Sequence, residues 1–262
     1  MKDVTEHTLT DAVIRRLENC QNGRLGHVMT RLITHLHAFV REVEPSSEEW
    51  LAAIRFLTRT GQISDEQRQE FILLSDTLGV TMLIDTIQHR APEGATESSV
   101  LGPFYVPGAP DRPAGANMAL TPGPLLTVRG QVTSTAREPI AGALLDVWQA
   151  AATGLYDVQD ATQPKYNLRA RFRTDVRGRY EFQTIRPVSY PIPTDGPVGS
   201  LLAQLGCHPY RPAHVHFIVS AQGYKTVVTE LFDRSDTYLD SDVVFGVKNS
   251  LAVEFAARPG AA

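Results

Sequence analysis

Two histidines stand one residue apart in Arg211-Pro212-Ala213-His214-Val215-His216-Phe217, and the β-branched, aromatic run that continues through Ile218 and Val219 reads as a strand. Side chains alternate faces along a strand. His214 and His216 therefore point the same way, with ring nitrogens close enough to share one metal, while Val215 and Phe217 face the opposite layer. Such a pair is half of a site for a borderline first-row metal. The chain carries its own control in His35 and His37, which have the same spacing but lie in a segment with a helical apolar period. Residues two apart on a helix diverge, so that pair reads as helix surface. Partners for His214 and His216 must come from elsewhere, and the candidates are phenols. Tyr190 sits in a loop stiffened by Pro187, Pro191 and Pro193, and Tyr156 follows the strand that ends at Trp148. Taken alone, each tyrosine reads first as an amphipathic packing residue.

The elements that must position these residues fall into two regions. Residues 8 to 90 read as helices. Leu9, Val13 and Leu17 recur at helical spacing, and Ser46 with Glu49 forms a capping box ahead of Trp50, Leu51, Ile54 and Leu57, with Gly61 as the stop. A third helix is expected from Ser64, with Gln67 three positions on, ending at Gly79, and a fourth over Val80–Gln88. Residues 91–124 are rich in proline and glycine and exclude regular helix or central strand, yet Val100, Leu101, Phe104, Tyr105 and Val106 argue for an ordered loop. From Leu125 the apolar period becomes two. Strands are expected at 126–132, 143–148, 171–174, 179–182, 214–219, 226–232 and 251–255, with a hairpin turn at 175–178. The expected fold is α+β and mainly β: an antiparallel β-sandwich over 91–262 carrying the site, preceded by a helical dimerisation region over 1–90.

With 262 residues and a net charge of −4, the chain can bury a full core and shows no basic footprint for nucleic acid. Two cysteines without CxxC spacing fit a reducing cytoplasm. The N-terminus has no apolar signal core, and no run approaches the length of a membrane span, so no membrane insertion is expected. Phosphate loops, a GxSxG elbow and HExxH are absent.

Tyr156, Tyr190 and the 211–217 segment resemble the ligand set of the intradiol ring-cleaving dioxygenases. The likeness extends to residues 101–110, which open Leu101-Gly102-Pro103-Phe104-Tyr105, to Asp146-Val147-Trp148-Gln149-Ala150, and to Arg173-Thr174-Asp175. Segments 192–199 and 238–248 most resemble the members that act on hydroxyquinol. The resemblance implies one non-haem Fe(III) per chain, held by Tyr156, Tyr190, His214 and His216, with His216 opposite Tyr190. It implies an aromatic diol or triol and O2 as substrates, Tyr190 taking a substrate proton, and Arg211 stabilising the carbanionic or ketonised ring. It also implies a homodimer joined through the N-terminal helices, with phospholipid in an apolar tunnel there. Hard phenolate oxygens suit Fe(III), and neutral imidazoles complete the set.

The substrate pocket implied is Leu73, Asp76, Val100, Leu101, Gly102, Pro103, Phe104, Ile192, Pro193, Arg211 and Val244. Asp76 stands where catechol-cleaving members tend to carry an apolar residue or proline, which points to hydroxyquinol (1,2,4-trihydroxybenzene), opened to 3-hydroxy-cis,cis-muconate. Two departures are Glu230, where catechol-cleaving members carry Gln, and Cys207 in place of a more usual basic residue. The alternatives are the same reaction on catechol or a chlorocatechol, and a non-catalytic transthyretin-like module whose His-X-His is structural.

Overall fold

The computed structural model of the chain describes residues 4–66, 68–90 and 92–256. They form two compact units, one ending at Arg59 and one beginning at Thr60. In the first, α1 (Leu9–Arg15) packs on α2 (Gly23–Val43), whose N-terminus is capped by the Asn22 side chain accepting the Leu25 N–H at 3.0 Å. His37 faces Thr10 and His35 faces Arg31, so these two rings diverge. The Ser46–Glu49 capping box is formed, with Ser46 N–H to Glu49 at 2.8 Å and Glu49 N–H to Ser46 Oγ at 3.2 Å. It opens α3 (Ser47–Ile63).

Gly61 does not stop α3. It keeps a right-handed backbone, and the helix runs on until the Ser64 hydroxyl caps the Thr60 carbonyl at 2.7 Å. The next helix, α4 (Glu70–Thr77), starts later than the expected Ser64 because Asp65 accepts the Arg68 N–H in an intervening turn. Gln67, the other half of the expected cap, lies outside the described residues. Gly79, at φ +70°, separates α4 from α5 (Val80–Gln88) as expected.

The strands are β1 (Leu125–Gln131), β2 (Leu144–Trp148), β3 (Arg169–Arg173), β4 (Arg179–Ile185), β5 (Tyr190–Pro191), β6 (Tyr210–Arg211), β7 (His214–Ser220), β8 (Val227–Asp233) and β9 (Ala252–Val253). One sheet has the order β3-β2-β7-β8-β9, antiparallel except for β8 with β9; a second pairs β1 with β4. The 175–178 turn is tight, closed by Gly178 N–H to the Asp175 carbonyl at 2.9 Å. It is nevertheless no hairpin: β3 and β4 belong to different sheets, so the turn carries the chain across the sandwich. Between the sheets lie Leu145, Val147, Phe172, Phe182, Val215 and Phe217. The proline-rich 92–124 segment is ordered against them, bridging to Arg171 and Gln183 and sending Met118 into the core.

Two elements were not expected. The ribbon of β5 and β6 sets Tyr190 opposite Arg211. Helix α6 (Pro197–Gln204) begins with Pro at its first position, and its Val198 N–H donates to the Glu70 carboxylate of α4 at 3.0 Å. That contact ties α4 to the loop that follows Tyr190. No helix among the described residues is long and apolar enough to cross a membrane.

Candidate metal centre and active site

Strand β7 presents alternating faces. Val215 and Phe217 enter the inter-sheet core, while His214 and His216 emerge on the outer face with Glu230 of β8, paired to His216, and Trp148 of β2, paired to His216 from the other side. Trp148 stacks on His216 with ring centres 4.7 Å apart and planes within 3°. A second apolar layer of Trp148, Ala150, Tyr156, Tyr190, Phe104 and Tyr105 covers this face. Tyr156 is brought in by the turn after β2, where Gly154 is required twice over. Its φ is +80°, and a Cβ there would stand 2.9 Å from the Tyr190 Cβ. Tyr190 arrives on the β5–β6 ribbon.

Four donor atoms close a ring. Tyr156 Oη lies 3.1 Å from Tyr190 Oη, Tyr190 Oη 3.4 Å from His214 Nε2, His214 Nε2 3.1 Å from His216 Nε2, and His216 Nε2 3.1 Å from Tyr156 Oη. Going round, Tyr190 and His216 stand across from one another. All four residues are buried. A point inside such a ring is roughly 2 Å from each atom, the distance at which first-row metal ions hold nitrogen and oxygen ligands.

The proton inventory sharpens that fit. His214 Nδ1 is 2.6 Å from the Pro212 carbonyl, which can only accept, so the proton sits on Nδ1 and Nε2 carries a lone pair. Arg211 Nη1, which can only donate, stands 3.1 Å from the same Nε2. His216 Nδ1 faces Glu230 Oε1 at 3.1 Å, out of line for a full hydrogen bond but with the carboxylate favouring the proton there. Burial, reinforced by the Arg211 charge, holds both imidazoles well below the usual range, so they are neutral. Two lone pairs thus confront each other at 3.1 Å, an arrangement that a cation between them would relieve. Burial also pushes the Tyr156 phenol well up, with Tyr190 adding to it, and pushes Tyr190 up against the opposing pull of Arg211. A metal is the ordinary means of making such phenols anionic. The donor set therefore fits one hard or borderline cation.

Arg211, fully buried, is gripped from two sides. Glu230 accepts from Nη1 at 2.9 Å and from Nη2 at 3.2 Å, and Asp242 accepts from Nε and Nη2 at 3.1 Å each. Ser99 donates to Glu230 Oε2 at 2.5 Å. His214, His216 and Glu230 also form a potential cation group, but Glu230 Oε1 is already engaged by Arg211. A Cβ on Gly246 would come within 2.8 Å of Arg211 Nη2, so this loop packs as closely as a backbone can. A second buried guanidinium, Arg169, pairs with Asp157 at 2.7 Å and lies 5.7 Å from the Tyr156 ring centre. Asp242, Arg169 and the stacked Trp148 had not been singled out for the site. The available signal was arithmetic: a buried Arg beside the histidines demands carboxylates.

A narrow cleft opens beside the ring, lined by Leu73, Asp76, Val100, Gly102, Pro103, Phe104, Ile192, Pro193, Arg211 and Val244, together with Tyr190 and His216. Leu101 is the exception among the expected residues: it is 41 % exposed and does not line the cleft. Asp76 is 5 % exposed, and burial raises its carboxyl against the lowering effects of a Thr81 hydrogen bond and the Arg211 charge. Cys207, four residues before Arg211 in the chain, is exposed and lines no part of the cleft, its thiol turned to the Leu205 carbonyl.

Residues 100–261 match the family model described as Dioxygenase, and residues 22–96 match that described as Catechol dioxygenase N terminus. The chain is 52 % identical to a hydroxyquinol 1,2-dioxygenase of Rhizobium sp. (strain MTP-10005) over 95 % of this chain and 85 % of that protein. It is 49 % identical to a 6-chlorohydroxyquinol 1,2-dioxygenase of Cupriavidus pinatubonensis, over 96 % and 91 % respectively. Among solved structures, hydroxyquinol 1,2-dioxygenase from Pseudomonas putida DLL-E4 superposes with a TM-score of 0.94 at 52 % identity, covering 97 % of this chain and 89 % of that one. Sequence and fold agree along nearly the whole chain, which belongs to the intradiol ring-cleaving dioxygenase family.

Proposed function

We propose that this chain opens hydroxyquinol between its two adjacent hydroxyl carbons, incorporating both atoms of O2 to give 3-hydroxy-cis,cis-muconate, with Fe(III) held by Tyr156, Tyr190, His214 and His216. The observation that carries the reading is the closed, buried ring of two phenol oxygens and two imidazole nitrogens. The relatives that act on hydroxyquinol and 6-chlorohydroxyquinol support the choice of substrate. When bound, Fe(III) would withdraw electron density from a ring held as its diolate and so open it to attack by O2.

The chain's own residues do the rest. Leu73, Val100, Ile192 and Val244 clamp the ring and exclude water. Tyr190 Oη, whose phenol the Arg211 guanidinium pulls toward the anion, takes a proton from one substrate hydroxyl. Arg211 stays charged between two carboxylates and faces the developing negative charge on the ring. Asp76 accepts a hydrogen bond from the third hydroxyl, which separates this reading from one in which catechol or a chlorocatechol is the preferred substrate. We further infer a homodimer through the N-terminal helices, with phospholipid between them, because Leu32, Leu36, Phe39, Val40 and Val43 of α2 are all exposed. The two unpaired cysteines support a cytoplasmic location.

The decisive experiment combines metal analysis, visible absorption and oxygen uptake. One iron per chain, a ferric-tyrosinate band that Tyr156→Phe largely removes, and oxygen uptake with hydroxyquinol well above catechol are expected. A colourless protein, zinc in place of iron, or equal rates on the two diols would overturn the reading.

A further inference from the structure

A second cavity, roomier than the cleft beside the tyrosines, lies elsewhere in the sandwich. It has a volume of about 530 Å³ and lies at the opposite end of β7, on the inner side of the same sheet. Its floor is the apolar material of the sandwich: Leu145, Phe217, Val219 and Leu231, with Tyr180 and Val132 from the second sheet. Its mouth carries Arg90 and Lys225, neither of which makes an ion pair among the described residues, and His89, which is bonded to Asp85 at 2.7 Å. No Asp or Glu lines it. Polar capacity at the rim comes from Gln131, Thr133 and Ser134.

A cavity of this size is in the range that holds small ligands, and an apolar floor under an uncompensated cationic mouth selects charge as well as shape. We propose that it is a second binding site, for a medium-length anionic amphiphile: a carboxylate held at Arg90 and Lys225, with an aliphatic body against Phe217 and Val219. The wall it would press on is shared with the metal centre. Phe217 and Thr229 line the cavity, while the residues alternating with them, His216 and Glu230, face the ring of donors. The site is thus one sheet thickness from the histidines, reached from the opposite face.

Calorimetric titration of the full chain with decanoate, and separately with decanol, tests this. Decanoate should bind saturably at one site per chain and at least tenfold more tightly than decanol. Arg90→Glu with Lys225→Glu, both exposed and so without effect on the core, should weaken decanoate at least tenfold and leave decanol unchanged. Val219→Phe, which fills the floor, should abolish both. Equal binding of acid and alcohol, decanoate binding untouched by the charge reversals, or binding that survives Val219→Phe would each overturn the proposal, the last by locating the ligand on the exposed apolar helices.

Discussion

Replacing Asp76 first with asparagine and then with leucine is expected to lower the hydroxyquinol preference in two steps. The side chain is buried in the cleft that also contains Arg211 and His216, with Thr81 as a hydrogen-bonding neighbour. A hydrogen bond from the third hydroxyl to a carboxylate contributes about 1.5–3 kcal/mol, and one to a neutral amide about 0.5–1.5 kcal/mol. At about 1.4 kcal/mol per tenfold, Asp76→Leu should lower the hydroxyquinol-to-catechol ratio of kcat/KM by about 10- to 150-fold, mainly through hydroxyquinol, with Asp76→Asn between it and the wild type. Stability should move the other way. Burial raises the folded carboxyl above its unfolded value of about 3.9, so the ionised form destabilises the fold, fully so above the folded pKa and progressively less as pH falls through it. Both variants should therefore gain stability at pH 8 and little at pH 4. Steady-state kinetics on both diols, with denaturant unfolding at the two pH values, makes the measurement. A ratio within twofold of wild type in Asp76→Leu, in a protein that is more stable at pH 8, would refute the contact while leaving the burial intact.

Glu230→Leu leaves the buried Arg211 with Asp242 alone, and breaking a buried pair this way should cost about 3–5 kcal/mol in denaturant unfolding, with a smaller loss for Glu230→Gln. Gly154→Ala meets both a positive φ and the Tyr190 Cβ; a loss of about 1 kcal/mol or more and a shifted tyrosinate band are expected, read by unfolding and visible absorption. Light scattering at micromolar concentration should report twice the 28.8 kDa chain mass, and introducing charge with Leu36→Glu and Val40→Glu should return the monomer.

What the sequence disclosed follows the range of the forces involved. The capping box at Ser46, the stop at Gly79 and the alternating run of β7 depend on neighbours a few residues away, and each was legible. Helix α6 was not, because Pro197 and the surrounding prolines and glycines look like loop. Its first turn is secured by Glu70, whose carboxylate arrives from 128 residues earlier. The 175–178 turn had the right residues for a hairpin, but whether a turn joins paired strands or crosses between sheets is decided by what β3 and β4 pair with elsewhere. Ring nitrogens two residues apart on a strand could be anticipated from geometry, whereas Tyr156 and Tyr190 were no more than candidates until the resemblance made them ligands. Asp242 entered only as part of the 238–248 resemblance and with no role, since nothing near it in the chain announces a bond to Arg211.

The ring of donors has a further consequence, for the mechanical cohesion of the outer loops. Its oxygens and nitrogens come from chain positions separated by 34 residues, Tyr156 to Tyr190, and by 24, Tyr190 to His214. An ion bound to all of them would act as a cross-link closing both loops, and in the chain-entropy picture each closure removes roughly 3–4 kcal/mol of freedom from the unfolded chain. The sheets have their own core on the other face of β7 and do not depend on that fastening. Stripping the metal should accordingly loosen the 150–168 segment first, opening it to protease while the sandwich behind it stays closed.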